Sequence, residues 1–166
     1  MCRWLEKARH AGVWLLDAKL AAADAWPTTR ADRRGDLKVS DAVRVLVVED
    51  EALIAGFVED ALSDGGFEAC SVNSGEEAMS TFRDGREGCR VLLTDVNLGD
   101  GISGWELAQQ IREITPGFPV VYMTSASAPD WQSQGVEGSV LIQKPFAPAQ
   151  LTAAVSQLLE SGASPA

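Results

Sequence analysis

The chain has 166 residues, 46% of them apolar and 23% charged, which is enough for one domain with a buried core and too apolar for wholesale disorder. Its net charge of −10 is uneven: residues 1–42 contain 8 Lys or Arg against 6 Asp or Glu, and residues 43–166 contain 6 against 18. An acidic main domain repels nucleic-acid phosphates and no apolar run is long enough to cross a membrane, so we predict a cytoplasmic protein that binds neither nucleic acid nor membrane.

Residues 1–42 differ in composition from the rest and are predicted to be an N-terminal extension. Apolar positions within 3–24 could form a loosely amphipathic helix, and the polar stretch after Trp26-Pro27 is typical of a linker that need not be ordered. Two interpretations stay open: a poorly ordered extension or misplaced start codon, and a docking helix for a partner or a second copy. The three cysteines are odd in number and far apart, which argues against a disulfide framework and against a zinc site.

From Val43 onward, short β-branched runs alternate with segments of helical period, which predicts repeated βα units and an α/β fold with a parallel sheet. Several runs are apolar at every position, as expected when helices cover both faces of the sheet. The predicted strands are residues 44–48, 67–72, 90–95, 119–124 and 139–142.

Helices are predicted between these strands. Six apolar residues from Leu53 to Leu62 (Leu53, Ile54, Phe57, Val58, Ala61 and Leu62) form one stripe, and Gly65-Gly66 ends that helix. Capping boxes begin the next two helices, Ser74 with Glu77 and Ser103 with Glu106. The last helix begins near Pro148, whereas residues 126–135 predict only a short, polar helix.

Polar side chains stand at the ends of the predicted strands. Glu49-Asp50 follows the first strand, Asp95 ends the third, Thr124 ends the fourth and Lys144 follows the fifth. Ligands of open parallel sheets bind beyond these carboxyl ends. With the strand order 2-1-3-4-5, the three acids would share a pocket, and carboxylates that close require a compensating cation. Oxygen ligands favour Mg²⁺, and such a pocket suits a phosphoryl group that a carboxylate could accept as an acyl phosphate.

Each of these residues also has an ordinary explanation. Glu49 and Asp50 could simply charge a helix N-terminus, Asp95 could be a turn residue, Thr124 a strand-end hydroxyl and Lys144 a solvated charge. The presence of all of them at the appropriate strand ends is what favours a site.

Four runs, in order, resemble the response-regulator receiver family over about 120 residues: Val-Leu-Val-Val-Glu49-Asp50-Glu51, Leu-Leu-Thr-Asp95-Val-Asn-Leu, Val-Val-Tyr-Met-Thr124-Ser125 and Lys144-Pro145-Phe146. The resemblance implies a flavodoxin-like fold, with a five-stranded parallel sheet in the order 2-1-3-4-5. It also implies a stand-alone receiver in a two-component phosphorelay, phosphorylated on Asp95 by a sensor histidine kinase or a histidine phosphotransfer protein.

The same resemblance assigns the site residues. Asp50 and Asp95 would bind Mg²⁺ directly together with the backbone carbonyl of Asn97, and Glu49 would act through a metal-bound water. Thr124 would hydrogen-bond the phosphoryl group, Lys144 would form an ion pair with it, and the Lys144-Pro145 bond would be cis.

Two features depart from the family pattern. Leu141 stands at the switch position, three residues before the lysine, where the family usually places Tyr or Phe. The segment between Thr124 and the fifth strand also has few helix-forming residues. The departures leave phosphorylation itself intact, but they put the usual coupling from threonine to aromatic in doubt.

The sequence Gly99-Asp100-Gly101-Ile102-Ser103-Gly104 is a literal GxGxxG motif. A dinucleotide-binding motif would lie at the first βα turn, with an acid at the end of the next strand, and neither condition holds here. We therefore interpret these glycines as a loop beside the metal pocket.

The predicted organisation is an extension at 1–42, a receiver at 43–160 and a tail at 161–166, with no output domain after it. The receiver would act by binding an unknown downstream protein or as a phosphate sink, and would catalyse only its own phosphorylation and dephosphorylation. One alternative is a pseudo-receiver that binds a partner without phosphorylation. Another is a histidine phosphotransfer module, for which His10 is the only available histidine.

Overall fold

The computed structural model describes residues 42–85, 88–125 and 129–162. The predicted helix at 3–24 and its linker lie outside the described residues, as do residues 126–128 of the short predicted helix and 163–166 of the tail.

The described residues form a five-stranded sheet in the order β2-β1-β3-β4-β5, with every neighbouring pair parallel. The predicted fold and strand order are therefore confirmed, and each strand lies within one residue of its predicted bounds. The strands are β1 (Arg44–Val48), β2 (Glu68–Val72), β3 (Val91–Asp95), β4 (Val120–Thr124) and β5 (Val140–Gln143).

Within the described ranges, five helices connect or follow the strands. They are α1 (Ala52–Asp64), α2 (Gly75–Asp84), α3 (Gly104–Ile114), α4 (Pro129–Gln134) and α5 (Pro148–Gly162). The short helix that was expected between β4 and β5 spans only 6 residues, consistent with the few helix formers in that segment.

Two hydrophobic cores lie on opposite faces of the sheet, because successive side chains of a strand point to opposite sides. On one face, Leu46, Leu92 and Tyr122 pack against Leu107 and Ile111 of α3. The other core holds Val45, Val47, Leu93 and Met123 of the sheet together with Leu62 of α1 and Leu151 and Val155 of α5. Burial on both faces explains why the strands are apolar at every position.

The apolar stripe predicted for α1 is only partly buried. Val58, Ala61 and Leu62 lie in the core, whereas Leu53 is 91% exposed and Phe57 is 42% exposed. Periodicity identified the apolar positions correctly but could not show that Leu53 and Phe57 lie outside the core.

The two predicted capping boxes differ in completeness. At α3, the Glu106 N–H donates to Ser103 Oγ at 3.3 Å, and Glu106 Oε2 accepts from the Ser103 N–H at 2.9 Å. At α2, the Glu77 N–H donates to Ser74 Oγ, but the Glu77 carboxylate accepts from the N–H of Asn73 instead of Ser74. The predicted serine is nevertheless the N-cap of both helices.

Candidate functional site

Three carboxylates meet at the carboxyl ends of β1 and β3, which are neighbours in the sheet. One oxygen atom from each of Glu49, Asp50 and Asp95 lies within 4.8 Å of the others. Glu49 and Asp95 are 2% and 5% exposed, whereas Asp50 is exposed to solvent. The structure thus brings together the three acids that the sequence placed at these strand ends.

Lys144 reaches this cluster from the loop after β5. Its Nζ donates to Asp95 Oδ2 at 2.6 Å and to Glu49 Oε2 at 2.9 Å. The Lys144 N–H donates to the carbonyl oxygen of Thr124 at 2.7 Å, and the Lys144-Pro145 bond is cis, as the resemblance implied. Lys144 follows β5, which lies beyond β4 in the sheet. Its ammonium nevertheless reaches the carboxylates at the ends of both β1 and β3.

Backbone amides hold the remaining carboxylate oxygens. The Asn97 N–H donates to Asp95 Oδ1 at 3.1 Å, and the Glu51 N–H donates to Glu49 Oε1 at 3.3 Å. Each of the two buried carboxylates is thus bound to one amide and to the Lys144 ammonium. Such bonds orient the carboxylates and offset part of the cost of burying them.

Burial raises the pKa of Glu49, and the neighbouring charge of Asp95 adds to this effect against the opposing influence of Lys144. Burial acts to lower the pKa of Lys144, but its hydrogen bonds to Asp95 and Glu49, together with their charges, outweigh burial and raise that pKa. Three carboxylates face one ammonium, so the site keeps an excess of negative charge. A small divalent cation with oxygen ligands fits this donor set.

Thr124 ends β4, the strand next to β3, and is 4% exposed. Asp95 is paired with Met123 in the register of these strands, so Thr124 lies one residue beyond Asp95 at the same edge. The structure therefore places the predicted hydroxyl on the neighbouring strand end.

Leu141 is half-buried in β5 and paired in register with Tyr122 of β4. Tyr122 is fully buried, its ring centroid lies 4.4 Å from that of Trp105, and its hydroxyl accepts from the Val136 N–H at 3.3 Å. Tyr122 was not among the residues predicted for the site, although an aromatic residue two positions before Thr124 was a visible signal in the sequence. The buried aromatic at this end of the sheet is thus in β4, beside the expected position in β5.

The GxGxxG residues form the loop between β3 and α3. Gly104 begins α3 directly against the backbone of Asp95, where a Cβ atom would collide with the Asp95 carbonyl oxygen. Gly99 has φ +68°, and a Cβ there would lie 3.5 Å from Asp50 Oδ2. A pyrophosphate would meet these carboxylates unfavourably, so the loop is better suited to a metal pocket than to a dinucleotide.

Residues 45–156 match the family model described as the response regulator receiver domain. Among curated proteins, the chain is 30% identical over 116 residues to the uncharacterized transcriptional regulatory protein YrkP of Bacillus subtilis, covering 69% of this chain and 48% of that protein. It is 31% identical over 119 residues to the phosphate regulon transcriptional regulatory protein PhoB of Pseudomonas aeruginosa, covering 69% and 51%. The chain thus spans about half the length of the curated relatives it matches.

Solved structures give the same result over most of their length. A response regulator receiver protein from Sinorhizobium medicae is 38% identical, with a TM-score of 0.70, covering 74% of this chain and 98% of that chain. The chemotaxis protein CheY4 of Vibrio cholerae is 26% identical, with a TM-score of 0.64, covering 70% and 98%. Among the described residues, no helix is long and apolar enough to span a membrane.

Proposed function

Because the chain belongs to the response regulator receiver family, we propose that residues 43–160 form a receiver that accepts a phosphoryl group on Asp95 from a sensor histidine kinase or a histidine phosphotransfer protein. Members of this family are signalling modules rather than ordinary enzymes. The observation that carries the proposal is the setting of Asp95, a buried carboxylate whose two oxygens are held by Asn97 and Lys144 at the open edge of the sheet.

The donor set fits Mg²⁺. Asp50 and Asp95 would bind the ion directly together with the backbone carbonyl of Asn97, and Glu49 would act through a bound water. When bound, Mg²⁺ neutralises charge on the oxygens of the transferring phosphoryl group. Exposed Asp50 leaves the site accessible from solvent, which suits an ion that keeps some of its waters.

The protein's own residues then supply the transfer step. A carboxylate oxygen of Asp95 attacks the phosphorus of the phosphohistidine, a new O–P bond forms and the N–P bond breaks, with the electron pair returning to the imidazole nitrogen. The Lys144 ammonium, now on Asp95 Oδ2, moves to a phosphoryl oxygen as an ion pair. The Thr124 hydroxyl donates to another. The chain catalyses only this reaction and the hydrolysis that reverses its signalling state.

An apolar surface beside the site supports a protein as the phosphoryl donor. Leu53, Ile54 and Phe57 of α1 line a surface groove of about 530 Å³ together with Pro145 and Phe146, and Lys144 borders it. The Phe57 and Phe146 ring centroids are 6.0 Å apart. A donor that brings a phosphohistidine to Asp95 must cover the surface around Lys144, so this groove is the part of the receiver that it would contact.

We also propose that the receiver acts in the cytoplasm, by binding a downstream protein or by draining phosphate from a kinase, without contacting nucleic acid or membrane. The surplus of acidic residues in 43–166 supports this, since Lys and Arg supply most affinity for phosphates.

Phosphorylation by a small-molecule donor tests the proposal. Acetyl phosphate and Mg²⁺ should add the mass of one phosphoryl group to the purified protein, and chelation of Mg²⁺ should prevent it. Asp95→Ala should abolish the gain, whereas Asp64→Ala, which removes an exposed aspartate at the far end of α1, should retain it. No gain from acetyl phosphate or from any cognate kinase would instead support a pseudo-receiver that binds its partner without phosphorylation.

A further inference from the structure

The loop from Val96 to Ser103 carries Asn97, whose backbone carbonyl is a ligand in the proposed Mg²⁺ site. Hydrogen bonds donated by backbone amides fix both ends of this loop next to Asp95. At its start, the Asn97 N–H donates to Asp95 Oδ1, and at its end the Gly104 N–H donates to the Val96 carbonyl oxygen at 2.9 Å. The path of the segment between these two anchors decides where the Asn97 carbonyl points.

A side chain from another βα unit holds this segment near its end, two residues before Gly104. Glu76 is the second residue of α2, and its Oε1 accepts a hydrogen bond from the Ile102 N–H at 3.0 Å, across 26 residues of sequence. Gly101 has φ +120°, and a Cβ atom there would lie only 2.5 Å from Glu76 Oε1. The carboxylate therefore occupies space that glycine leaves open, and the backbone and the carboxylate fit each other closely.

The side chain of Ile102 forms the second half of this contact. Ile102 lies over Gly75, the first residue of α2, where any Cβ atom would collide with the isoleucine side chain. Ile102 is half-buried and packs against the core on that face of the sheet. The first turn of α2 thus contacts Ile102 twice: Glu76 accepts a hydrogen bond from its amide, and Gly75 lies under its side chain. This contact accounts for Gly101 of the GxGxxG motif without a bound nucleotide.

We infer that Glu76 is a positioning residue for the metal site: by holding Ile102 it sets the path of the β3–α3 loop, and with it the Asn97 carbonyl beside Asp95. The inference rests on the proposed function, since it requires Mg²⁺ at the acidic cluster. Outer residues that orient metal ligands commonly influence affinity without contacting the ion. Glu76 would act in this way through a backbone amide.

An ordinary role competes with this inference, because a carboxylate in the first turn of a helix also stabilises the helix dipole. The two roles differ in what they require. Positioning requires an acceptor at Oε1, which Gln retains, whereas the dipole interaction and any long-range attraction of Mg²⁺ require the negative charge, which Gln lacks. Glu76→Ala and Glu76→Gln therefore form a matched pair.

The test is calorimetric titration of the full chain with Mg²⁺, combined with amide hydrogen exchange at Ile102. Glu76→Ala should weaken Mg²⁺ binding roughly tenfold, at the low end of the effect of losing an outer-shell partner, and should speed exchange at Ile102. Glu76→Gln should remain close to the wild type in both measurements. Gly101→Ala, which breaks the same contact from the loop side, should reproduce Glu76→Ala. At saturating Mg²⁺, the rate of phosphorylation by acetyl phosphate should recover in all three variants.

Three results would overturn the inference. Unchanged Mg²⁺ affinity in Glu76→Ala, despite faster exchange at Ile102, would show that the contact is structural alone. Equal weakening in Glu76→Gln and Glu76→Ala would assign the effect to charge. Absence of Mg²⁺ binding in the wild type would remove the metal site itself, and so would count against the proposed function as well as this inference.

Discussion

Lys144 binds the same carboxylates that we propose as metal ligands. Its ammonium lies 2.6 Å from Asp95 Oδ2 and 2.9 Å from Glu49 Oε2. In the proposed mechanism, the lysine and a divalent cation would therefore compete for the same carboxylates before phosphorylation. During transfer both would neutralise the phosphoryl oxygens, so the lysine would oppose metal binding and assist the chemistry.

Replacing Lys144 should separate these two effects. Lys144→Ala should tighten Mg²⁺ binding several-fold, because the carboxylates of Glu49 and Asp95 lose their internal cation. The same change should slow phosphorylation by roughly 100-fold, the scale expected when a donor that stabilises a developing charge is lost. Titration calorimetry and the rate of mass gain with acetyl phosphate measure the two effects.

Lys144→Arg is the control for charge. It keeps the cation but replaces a compact ammonium with a planar fork, so Mg²⁺ affinity should stay near that of the wild type while phosphorylation remains slowed. Weaker Mg²⁺ binding in Lys144→Ala would contradict the competition and would point to a lysine that organises the carboxylates for the metal.

At the level of single residues, the sequence predicted where the acidic residues lie in the sheet better than it predicted whether their side chains are buried. Glu49, Asp50 and Asp95 were located at strand ends by their place after apolar runs, and they do meet in space. The sequence could not show that Glu49 is buried while its neighbour Asp50 is exposed. That difference arises because the Glu49 N–H still pairs with Val72 of β2, which keeps Glu49 within the sheet.

At the level of elements, α3 begins in direct backbone contact with the end of β3. Gly104 begins α3, and a Cβ atom there would collide with the Asp95 carbonyl oxygen and lie 3.0 Å from the Val96 Cα. Both neighbours are backbone atoms, one in Asp95, the last residue of β3 and the proposed phosphoacceptor, and one in the residue that follows it. They can yield only if β3 and α3 move apart.

Gly104→Ala should therefore destabilise the fold and disturb the site together. We expect a loss of about 2 kcal/mol in the free energy of unfolding, typical of overpacking, and slower phosphorylation of Asp95. Gly56→Ala is the matched control, since nothing lies within 4 Å of a Cβ at that helical position. It should raise the free energy of unfolding by about 0.5–1 kcal/mol, because Ala favours helices over Gly. Urea unfolding of both variants checks this, and equal stabilities would refute the packing argument.

The elements themselves were largely predictable, because strand and helix boundaries depend on local signals such as Ser103 and Pro148. Two features depend on tertiary context instead. The stripe of α1 is partly exposed because Leu53 and Phe57 line the surface groove beside Lys144 instead of the core. Tyr122 lies beside Leu141 only because β4 and β5 pair in one particular register, which the sequence alone does not reveal.

Side chains of α3 also hold the segment that connects β4 to β5. Arg112 donates to the Glu137 carbonyl oxygen at 2.8 Å, and Gln109 donates to that of Gln134 at 3.3 Å. Trp131 Nε1 donates to Ser139 Oγ at 3.0 Å. Side-chain hydrogen bonds thus fix the short α4 and the segment after it, which leads into β5, the strand that carries Leu141.

At the level of the whole molecule, the parallel sheet places the residues of the proposed site at one of its edges. Parallel strands all end on the same side, so the acids, Thr124, Lys144 and the apolar groove beside Lys144 share that side. Helix α3 runs back from Gly104 beside Asp95, so its last residue, Ile114, lies toward the opposite edge. Ile114 is 50% exposed and Phe57 is 42% exposed, so the two side chains are similarly exposed. They differ in location, because only Phe57 lies beside the proposed site.

This arrangement predicts a defect specific to protein donors. The double variant Leu53→Ala, Phe57→Ala should slow transfer from a cognate sensor kinase by roughly tenfold, since losing a hot-spot residue of an interface costs more than about 1 kcal/mol. The rate of phosphorylation by acetyl phosphate should be unchanged, because neither side chain contacts the described carboxylates. Ile114→Ala should leave both rates unchanged. The kinase for this assay is the one that labels the wild-type chain fastest among the sensor kinases of the same organism.

The comparison of donors decides between docking and support of the site. If the groove receives the kinase, only the kinase-dependent rate falls, and the loss grows when kinase concentration is lowered below saturation. If acetyl phosphate becomes equally slow, then Leu53 and Phe57 maintain the position of Lys144 through Pro145 and Phe146, and the donor binds elsewhere. An equal loss in Ile114→Ala would show that exposed apolar area in general, rather than this edge of the sheet, controls the encounter.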